Sequence, residues 1–131
     1  MSLDEEKRNT LVELELEKAV NTYEDASLLA ERERWSGAAN RLYYAVFHAV
    51  NALLIKDGHL IKSHKGAFAE FSKNYVLTEQ VSSEYGKLFR QLETMREESD
   101  YDCMFHVEAD QIKEKLQPAK EMIDMIASRV K

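Results

Sequence analysis

The fold is decided by residues 36–55, which read SGAANRLYYAVFHAVNALLI. Apolar side chains occupy almost every face of a helix drawn through this stretch, and such a helix must be covered on all sides. Ser36 is a candidate N-cap residue at its start. The pair Asp57-Gly58 is expected to end it, because glycine readily adopts the left-handed conformation that closes a helix. The sequence therefore predicts a central, buried helix over about residues 36–55.

Apolar residues recur at helical spacing on both sides of this central helix. A first helix is predicted over about residues 4–34, and a short third helix begins after Ser63 with Ala67, Phe68, Phe71 and Tyr75 on its inward face. The fourth helix follows Thr78 and ends near Glu97, residues 98–107 form a loop, and a fifth helix runs from Ala109 to the end with a kink at Pro118. No stretch alternates β-branched and polar residues between turn signals. The fold class is therefore all-α, a bundle of five helices.

The composition is that of a single domain, residues 1–131, with its own hydrophobic core. The 131 residues are 44% hydrophobic and 32% charged, and a chain of this length folds without disulfide or metal staples. Cys103 is the single cysteine, so no intrachain disulfide can form. No run of 18 uncharged apolar residues and no secretory signal pattern occurs, which predicts a cytoplasmic protein without a membrane span.

Charge is distributed unevenly along the chain. The net charge of −6 argues against a general nucleic-acid-coating protein, since phosphate neutralisation needs a positive face. Residues 36–75 are the exception, with 5 basic and 2 acidic side chains and three of the four histidines. Any anion-binding surface is expected to use this segment.

Four polar residues interrupt the central helix at 3-4-3 spacing. Arg41, Tyr44, His48 and Asn51 fall within an arc of about 80° on a helix that turns ~100° per residue. One interpretation is a catalytic or binding site in which Arg41 and His48 contact a phosphodiester. The other is structural: Arg41 pairs with an acid of helix 1 or 4, Tyr44 finds a backbone acceptor, and His48 is a satisfied core or interface histidine.

Two further clusters are candidate anion sites. Ser63, His64 and Lys65 stand at the start of the third helix, where unpaired amides and the helix dipole favour a phosphate. The alternative is that Ser63 only caps the helix and the lysines are solvated. Residues 96–101 read REESDY, in which Arg96 can either bind a phosphate beside Tyr101 or pair with Asp100 and hold the following loop on the bundle.

A metal site is not expected from this sequence. The Glu-x-x-His pairs of a ferritin-like di-metal bundle are absent. Asp100, Asp102, Cys103 and His106 lack a recognisable ligand spacing and are more simply explained as a solvated loop. We therefore predict neither a metal nor a cofactor.

Three blocks of sequence together resemble one family. They are NRLYYAVFHA at 40–49, SHKG at 63–66, and Arg96 followed by SDY at 99–101. In this order they look like the signature blocks of the small prokaryotic HEPN proteins (higher eukaryotes and prokaryotes nucleotide-binding domain). The resemblance covers about residues 10–130 and implies an up-and-down bundle of four to five helices that dimerises through the helices bearing the polar motif.

The resemblance also implies a function, with one departure. Many HEPN relatives are metal-independent ribonucleases or toxins, often encoded beside a minimal nucleotidyltransferase that acts as antitoxin. Their hallmark is an arginine followed after four to six residues by a histidine. Here Arg96 is followed after four residues by Tyr101, and Cys103 stands where modified toxins carry an acceptor tyrosine.

Two functions therefore remain open from the sequence. The first is a homodimer that binds nucleotide, RNA or a nucleotidyltransferase in a toxin–antitoxin or stress-defence role, with metal-independent ribonuclease activity as its enzymatic form. For that activity His48 would move protons, and Arg41 or Arg96 would stabilise the added charge. The second is a non-catalytic dimerisation or interaction module whose polar motif specifies the interface.

Overall fold

The computed structural model describes residues 4–59, 63–104 and 106–131, without the side chain of His64. Five α-helices form the bundle: α1 Glu5–Glu31, α2 Trp35–Lys56, α3 His64–Phe71, α4 Ser83–Tyr101 and α5 Ala109–Val130. A π-helical segment, Ser72–Val76, extends α3. No strand occurs in these ranges, so the all-α prediction is confirmed. None of the helices within the described ranges is long and apolar enough to cross a bilayer.

Helix α2 is the centre of the bundle, as predicted. It contacts each of the other four α-helices, and its most extensive contact is with α1. Thirteen of its residues are buried, including Leu42, Val46 and Leu53. Helices α1 and α4 do not contact each other within the described residues, and α2 and α5 each pack against both of them.

The start of α2 differs from the prediction. The helix begins at Trp35, its N-cap residue is Arg34, and no side chain caps it, so Ser36 lies inside the first turn. Trp35 packs on a small second core of Ala38, Ala39, Met95, Val107 and Ile112. Tertiary packing of the indole therefore replaces a side-chain cap. At the other end, Gly58 has φ of +78°, which confirms its predicted role.

Helix α4 runs one turn further than predicted. Residues 98–101 were expected to be a loop because they carry no apolar stripe, but α4 continues to Tyr101. Arg96 Nη1 lies 3.5 Å from Asp100 Oδ2, and this i,i+4 pair supports the last turn. The connecting loop is consequently shorter, from Asp102 to Glu108.

Helices α3 and α5 occur where they were predicted, and the kink expected at Pro118 stays a prediction. Ser63 Oγ accepts a 2.9 Å hydrogen bond from the Gly66 amide and caps α3. Ala67, Phe71 and Tyr75 are buried, and Phe68 packs against the core. Helix α5 passes through Pro118 as one helix and buries Ile112, Ala119, Ile123, Ile126 and Val130.

Candidate functional site

The polar stripe of α2 lies where α1 and α4 both reach it. Arg41, Tyr44 and His48 are half-buried and Asn51 is buried. Glu15 of α1 contacts His48, and the guanidinium of Arg96 from α4 lies above Tyr44. Three helices therefore contribute to one surface, which we call the α2 polar surface: Glu15, Arg41, Tyr44, His48, Asn51 and Arg96.

Glu15 holds His48 in one orientation. The carboxylate oxygen Oε1 lies 2.7 Å from His48 Nδ1, and Oε2 accepts a 3.3 Å hydrogen bond from the Asn51 amide. A carboxylate can only accept, so Nδ1 carries the hydrogen and Nε2 is the nitrogen left for proton transfer. The structural interpretation expected Arg41 to pair with an acid of helix 1 or 4. In the structure it is His48 that pairs with an acid of helix 1. The predicted pairing of Arg41 with an acid is wrong.

Arg41 instead contacts its own helix. Its Nε and Nη2 atoms donate hydrogen bonds of 3.0 and 2.7 Å to Asn40 Oδ1. Its guanidinium carbon lies 5.2 Å from the centroid of the Tyr44 ring. A guanidinium over an aromatic face is favourable, because the ring presents negative charge there. The carboxamide of Asn40 leaves the positive charge of Arg41 uncompensated.

Arg96 comes to the same tyrosine from α4. Its guanidinium carbon lies 5.0 Å from the Tyr43 ring centroid and 5.9 Å from that of Tyr44. Burial lowers the pKa of Arg96, but Tyr44, Tyr43 and Asp100 outweigh this effect and raise the pKa above its usual value. The buried Nε atom of Arg96 has no hydrogen-bond partner among the described residues. Arg96 and Arg41 therefore contact the same tyrosine from two helices.

Tyr101 does not join this surface. It is 82% exposed and has no hydrogen bond or ring contact among the described residues. Cys103 is also exposed, in the loop that follows. Of the REESDY block, Arg96 reaches the α2 polar surface, and Asp100 belongs to it only through the 3.5 Å pair with Arg96.

The start of α3 supplies part of a neighbouring site. Ser63 and Lys65 are exposed, and Lys65 lines a cavity with Phe68, Arg90, Glu93, Thr94 and Glu97. Ile61 and Lys62, and the side chain of His64, lie outside the described residues. In the described part of the chain, no three His, Cys, Asp or Glu side chains group as metal ligands.

Sequence reasoning did not single out Glu15 and Glu93. Glu15 is one of ten acidic residues among positions 1–35, and the sequence does not show which of them meets α2. The sequence does carry a signal for Glu93, because Gly86, Phe89, Glu93 and Arg96 repeat the 3-4-3 spacing of one helix face. In the structure the first three of these residues are buried. Burial, followed by the nearby charge of Glu97, raises the pKa of Glu93.

Comparison with known proteins identifies the family. The model of the HEPN domain matches residues 12–130. The chain belongs to the HEPN family. This HEPN chain is 32% identical over 120 residues to a UPF0332 protein of Thermotoga maritima, covering 92% of the chain and 91% of that protein.

Two archaeal relatives carry a functional name. A Methanocaldococcus jannaschii protein named "Putative toxin MJ0142" is 29% identical over 96 residues, 73% of this chain and 65% of that protein. A second protein of that organism, "Putative toxin MJ0605", is 28% identical over 118 residues, 88% of this chain and 86% of that protein. The resemblance drawn from the three sequence blocks is confirmed.

Proposed function

We propose that this HEPN protein is the toxin-type member of a toxin–antitoxin or stress-defence pair and binds RNA or a nucleotide phosphate at the α2 polar surface. One observation carries the proposal: the guanidinium groups of Arg41 and Arg96, from two helices, both contact the Tyr44 ring, at 5.2 and 5.9 Å from its centroid. The protein has a net charge of −6, so two arginines at one ring need a reason. Arg41 has no carboxylate partner among the described residues, and Arg96 has only the 3.5 Å contact to Asp100. A bound phosphate would supply that reason.

The guanidinium of Arg96 would be better matched by a phosphate oxyanion than by its present partner, Asp100. The Arg96 contact to Asp100 is long at 3.5 Å, and Nε is left without a partner among the described residues. A phosphate accepts two parallel N–H bonds from one guanidinium, and such charge-assisted bonds are about twice as strong as neutral ones. A phosphate would therefore be a stronger acceptor for the guanidinium of Arg96 than Asp100 is at 3.5 Å.

The proposed assembly follows from the family and the relatives' names. HEPN resemblance implies a homodimer formed through the helices that carry the polar motif, which would bring two α2 polar surfaces together. Two relatives carry the name "Putative toxin", which supports a toxin role here. We propose a cytoplasmic setting with an antitoxin such as a minimal nucleotidyltransferase. The antitoxin would then be expected to cover this surface and block RNA.

RNA binding is tested by fluorescence anisotropy with a labelled single-stranded RNA. We expect Arg41→Gln and Arg96→Gln each to weaken binding by about tenfold, the size of one lost hydrogen bond to a charged group. Each change should also lower the slope of log K against log salt by about one. Lys87→Gln is the matched control, because Lys87 lies on the opposite face of α4 and is two-thirds exposed.

Three results would separate the alternatives. Loss of affinity in Lys87→Gln as well would mean non-specific charge attraction. Unchanged affinity in both arginine variants would refute the proposed surface. Unchanged RNA affinity together with loss of the dimer, measured by sedimentation, would identify the surface as a non-catalytic interaction module.

A metal-independent ribonuclease is the second candidate, and the Glu15–His48 pair favours it. His48 Nε2 would take the proton of a ribose 2′-hydroxyl, and the 2′-oxygen would form a bond to phosphorus. The bond from phosphorus to the 5′-oxygen then breaks, and that oxygen leaves with a proton from solvent. Arg41 and Arg96 would stabilise the added negative charge. The products are a 2′,3′-cyclic phosphate and a 5′-hydroxyl.

Cleavage is tested with labelled tRNA and mRNA in EDTA. His48→Asn should reduce the rate by about 10²–10⁴, the contribution of a general base. Glu15→Gln should reduce it less, because the imidazole remains but loses its orientation. His106→Asn is the control, since His106 is an exposed loop histidine. Wild-type protein that leaves RNA intact at high concentration would refute the stand-alone nuclease and leave the binding proposal to its own test.

A further inference from the structure

A polar cavity adjoins the α2 polar surface. It has a volume of about 310 Å³ and lies between the start of α3 and the middle of α4, lined by Lys65, Phe68, Arg90, Glu93, Thr94 and Glu97. This volume is at the lower end of the range for small-ligand sites, roughly 300–1,000 Å³. The lining combines acceptors on one helix with cations from two, which is unusual for a gap left by imperfect packing.

Glu93 is the decisive side chain of this cavity. It is only 7% exposed, and its buried Oε2 atom has no hydrogen-bond partner among the described residues. Burial raises its pKa, the charge of Glu97 adds to this, and Arg90, Arg96 and Lys65 act in the opposite direction. A buried acceptor without a donor is destabilising by about 1–3 kcal/mol, so the protein keeps it at the expense of stability.

The cavity and Arg96 of the α2 polar surface are neighbours on α4. Glu93 precedes Arg96 by three residues, and residues with this separation have Cβ atoms about 5–6 Å apart on one helix face. A nucleotide whose phosphate contacts Arg96 can therefore place its own base or the next one at Glu93. Phe68 and the guanidinium of Arg90, which lies 5.4 Å from the Phe68 centroid, offer planar surfaces for a base to pack against.

The bases differ in the donors that they present to a carboxylate. Guanine carries two adjacent donors on its pairing edge, N1–H and N2–H, beside the acceptor O6. Adenine and cytosine each carry one amino group next to a ring acceptor, and uracil carries one N–H between two carbonyls. Only guanine can therefore donate to both oxygens of one carboxylate while its O6 accepts from Lys65 or Arg90.

We propose that this cavity binds an unpaired guanine base. On binding, the Glu93 side chain turns so that Oε2, buried in the free protein, faces the cavity, and the carboxylate accepts from N1–H and N2–H. The inference rests on the proposed RNA binding and adds a base preference to it. Arg96 holds the phosphate backbone without regard to sequence, and Glu93 reads the base. The HEPN protein accordingly selects single-stranded RNA that contains guanosine.

The preference is tested with oligouridine RNAs that carry one central G, A or C. Wild-type protein should bind the G-containing RNA about tenfold more tightly than the others, in line with the discrimination given by one bidentate contact. Glu93→Gln should lose this preference and keep its affinity for oligouridine, because the amide replaces one acceptor with a donor. Glu98→Gln, an exposed acid on α4 outside the cavity, should keep the preference.

Failure of the inference is distinct from failure of the proposed function. Equal affinity for all the RNAs, or a preference that survives in Glu93→Gln, refutes the guanine site and leaves RNA binding standing. If no RNA binds, an NMR titration with guanosine and adenosine decides, since a nucleoside needs no phosphate contact. Guanosine-specific shifts at Lys65 and Thr94 amides support the site, and their absence refutes it. Glu93→Asp serves if Glu93→Gln does not fold.

Discussion

The two faces of α2 are built by different rules. The inner face, with Leu42, Val46 and Leu53, is at most 1% exposed and meets apolar side chains from α1 and α5. The polar face carries Arg41, His48 and a buried amide, and it meets charged groups of α1 and α4. The first face makes the bundle stable, and the second is arranged at the expense of stability.

The unsatisfied polar atoms show where stability was given up. Among the described residues, the buried side-chain atoms without a hydrogen-bond partner are Asn51 Oδ1, Glu93 Oε2 and Arg96 Nε. One lies in the polar stripe of α2, and the other two lie on the part of α4 beside it. Such atoms are few in native proteins and gather where structure is constrained by function.

The largest expected effect belongs to the inner face. Leu53→Ala should lower the free energy of unfolding by about 2–5 kcal/mol, because it removes buried methyl groups and leaves a cavity in a packed core. Urea denaturation measures this loss. Leu77→Ala is the control, since Leu77 is 77% exposed and its loss should change stability by less than about 0.5 kcal/mol.

The folded fraction of Leu53→Ala should retain RNA affinity. Loss of binding in protein that is still folded would mean that the two faces are not independent. The assignment of stability to the inner face and of RNA binding to the polar face would then be wrong.

A smaller effect with the opposite sign is expected at the cavity on α4. Glu93→Met should raise the free energy of unfolding at neutral pH by about 1–3 kcal/mol, because an apolar side chain of similar size replaces a buried acceptor without a donor. The same variant should lose guanine preference. Gain in stability with loss of recognition is the behaviour expected of a residue kept for function.

The gain in stability of Glu93→Met over the wild-type protein should depend on pH in a defined direction. Because the pKa of Glu93 is raised in the folded protein, the folded state binds its proton more tightly than the unfolded state does. Proton binding by Glu93 therefore stabilises the folded wild-type protein fully below the unfolded pKa of about 4.3. This contribution to stability is lost as pH rises through the folded pKa. The advantage of Glu93→Met should be larger at pH 7 than at pH 4. An advantage that does not change with pH would contradict burial of an ionisable group.

The same contrast explains what the sequence could predict. The apolar stripes of α2 and α5 follow the helical period, so the all-α fold, the central helix and the position of α5 were predicted correctly. The last turn of α4 was missed because Glu97, Glu98 and Asp100 give it no stripe, and a side-chain pair with Arg96 supports it instead.

The candidate site was only partly predictable. Arg41 and His48 were singled out because polar residues at helical spacing on an apolar helix are conspicuous. Arg96 was singled out because an arginine near a helix end can bind a phosphate or pair with Asp100. The partner of His48 was not singled out, because Glu15 meets His48 across 33 residues of sequence and the pairing depends on how α1 is aligned along α2. Tyr101 was grouped with Arg96 by proximity in sequence, but one further helical turn leaves it in solvent.

The smallest expected effects compare two side-chain pairs, one within α5 and one between α1 and α2. Lys120 and Asp124 on α5 are 49% and 62% exposed and lie 3.1 Å apart. An exposed i,i+4 pair of this kind is worth about 0.3–0.5 kcal/mol, since water and salt screen it. Glu15 and His48 are 23% and 20% exposed and 2.7 Å apart, so their coupling should be nearer 1 kcal/mol.

Double-mutant cycles in urea measure both couplings, with Lys120→Gln and Asp124→Asn in one cycle and Glu15→Gln and His48→Asn in the other. Raising the salt concentration should remove the α5 coupling and leave most of the Glu15–His48 coupling. Equal couplings that respond equally to salt would show that Glu15 holds His48 no more firmly than a surface pair would. The imidazole would then have no fixed orientation, and the case for His48 as a proton-transfer group would lose its structural basis.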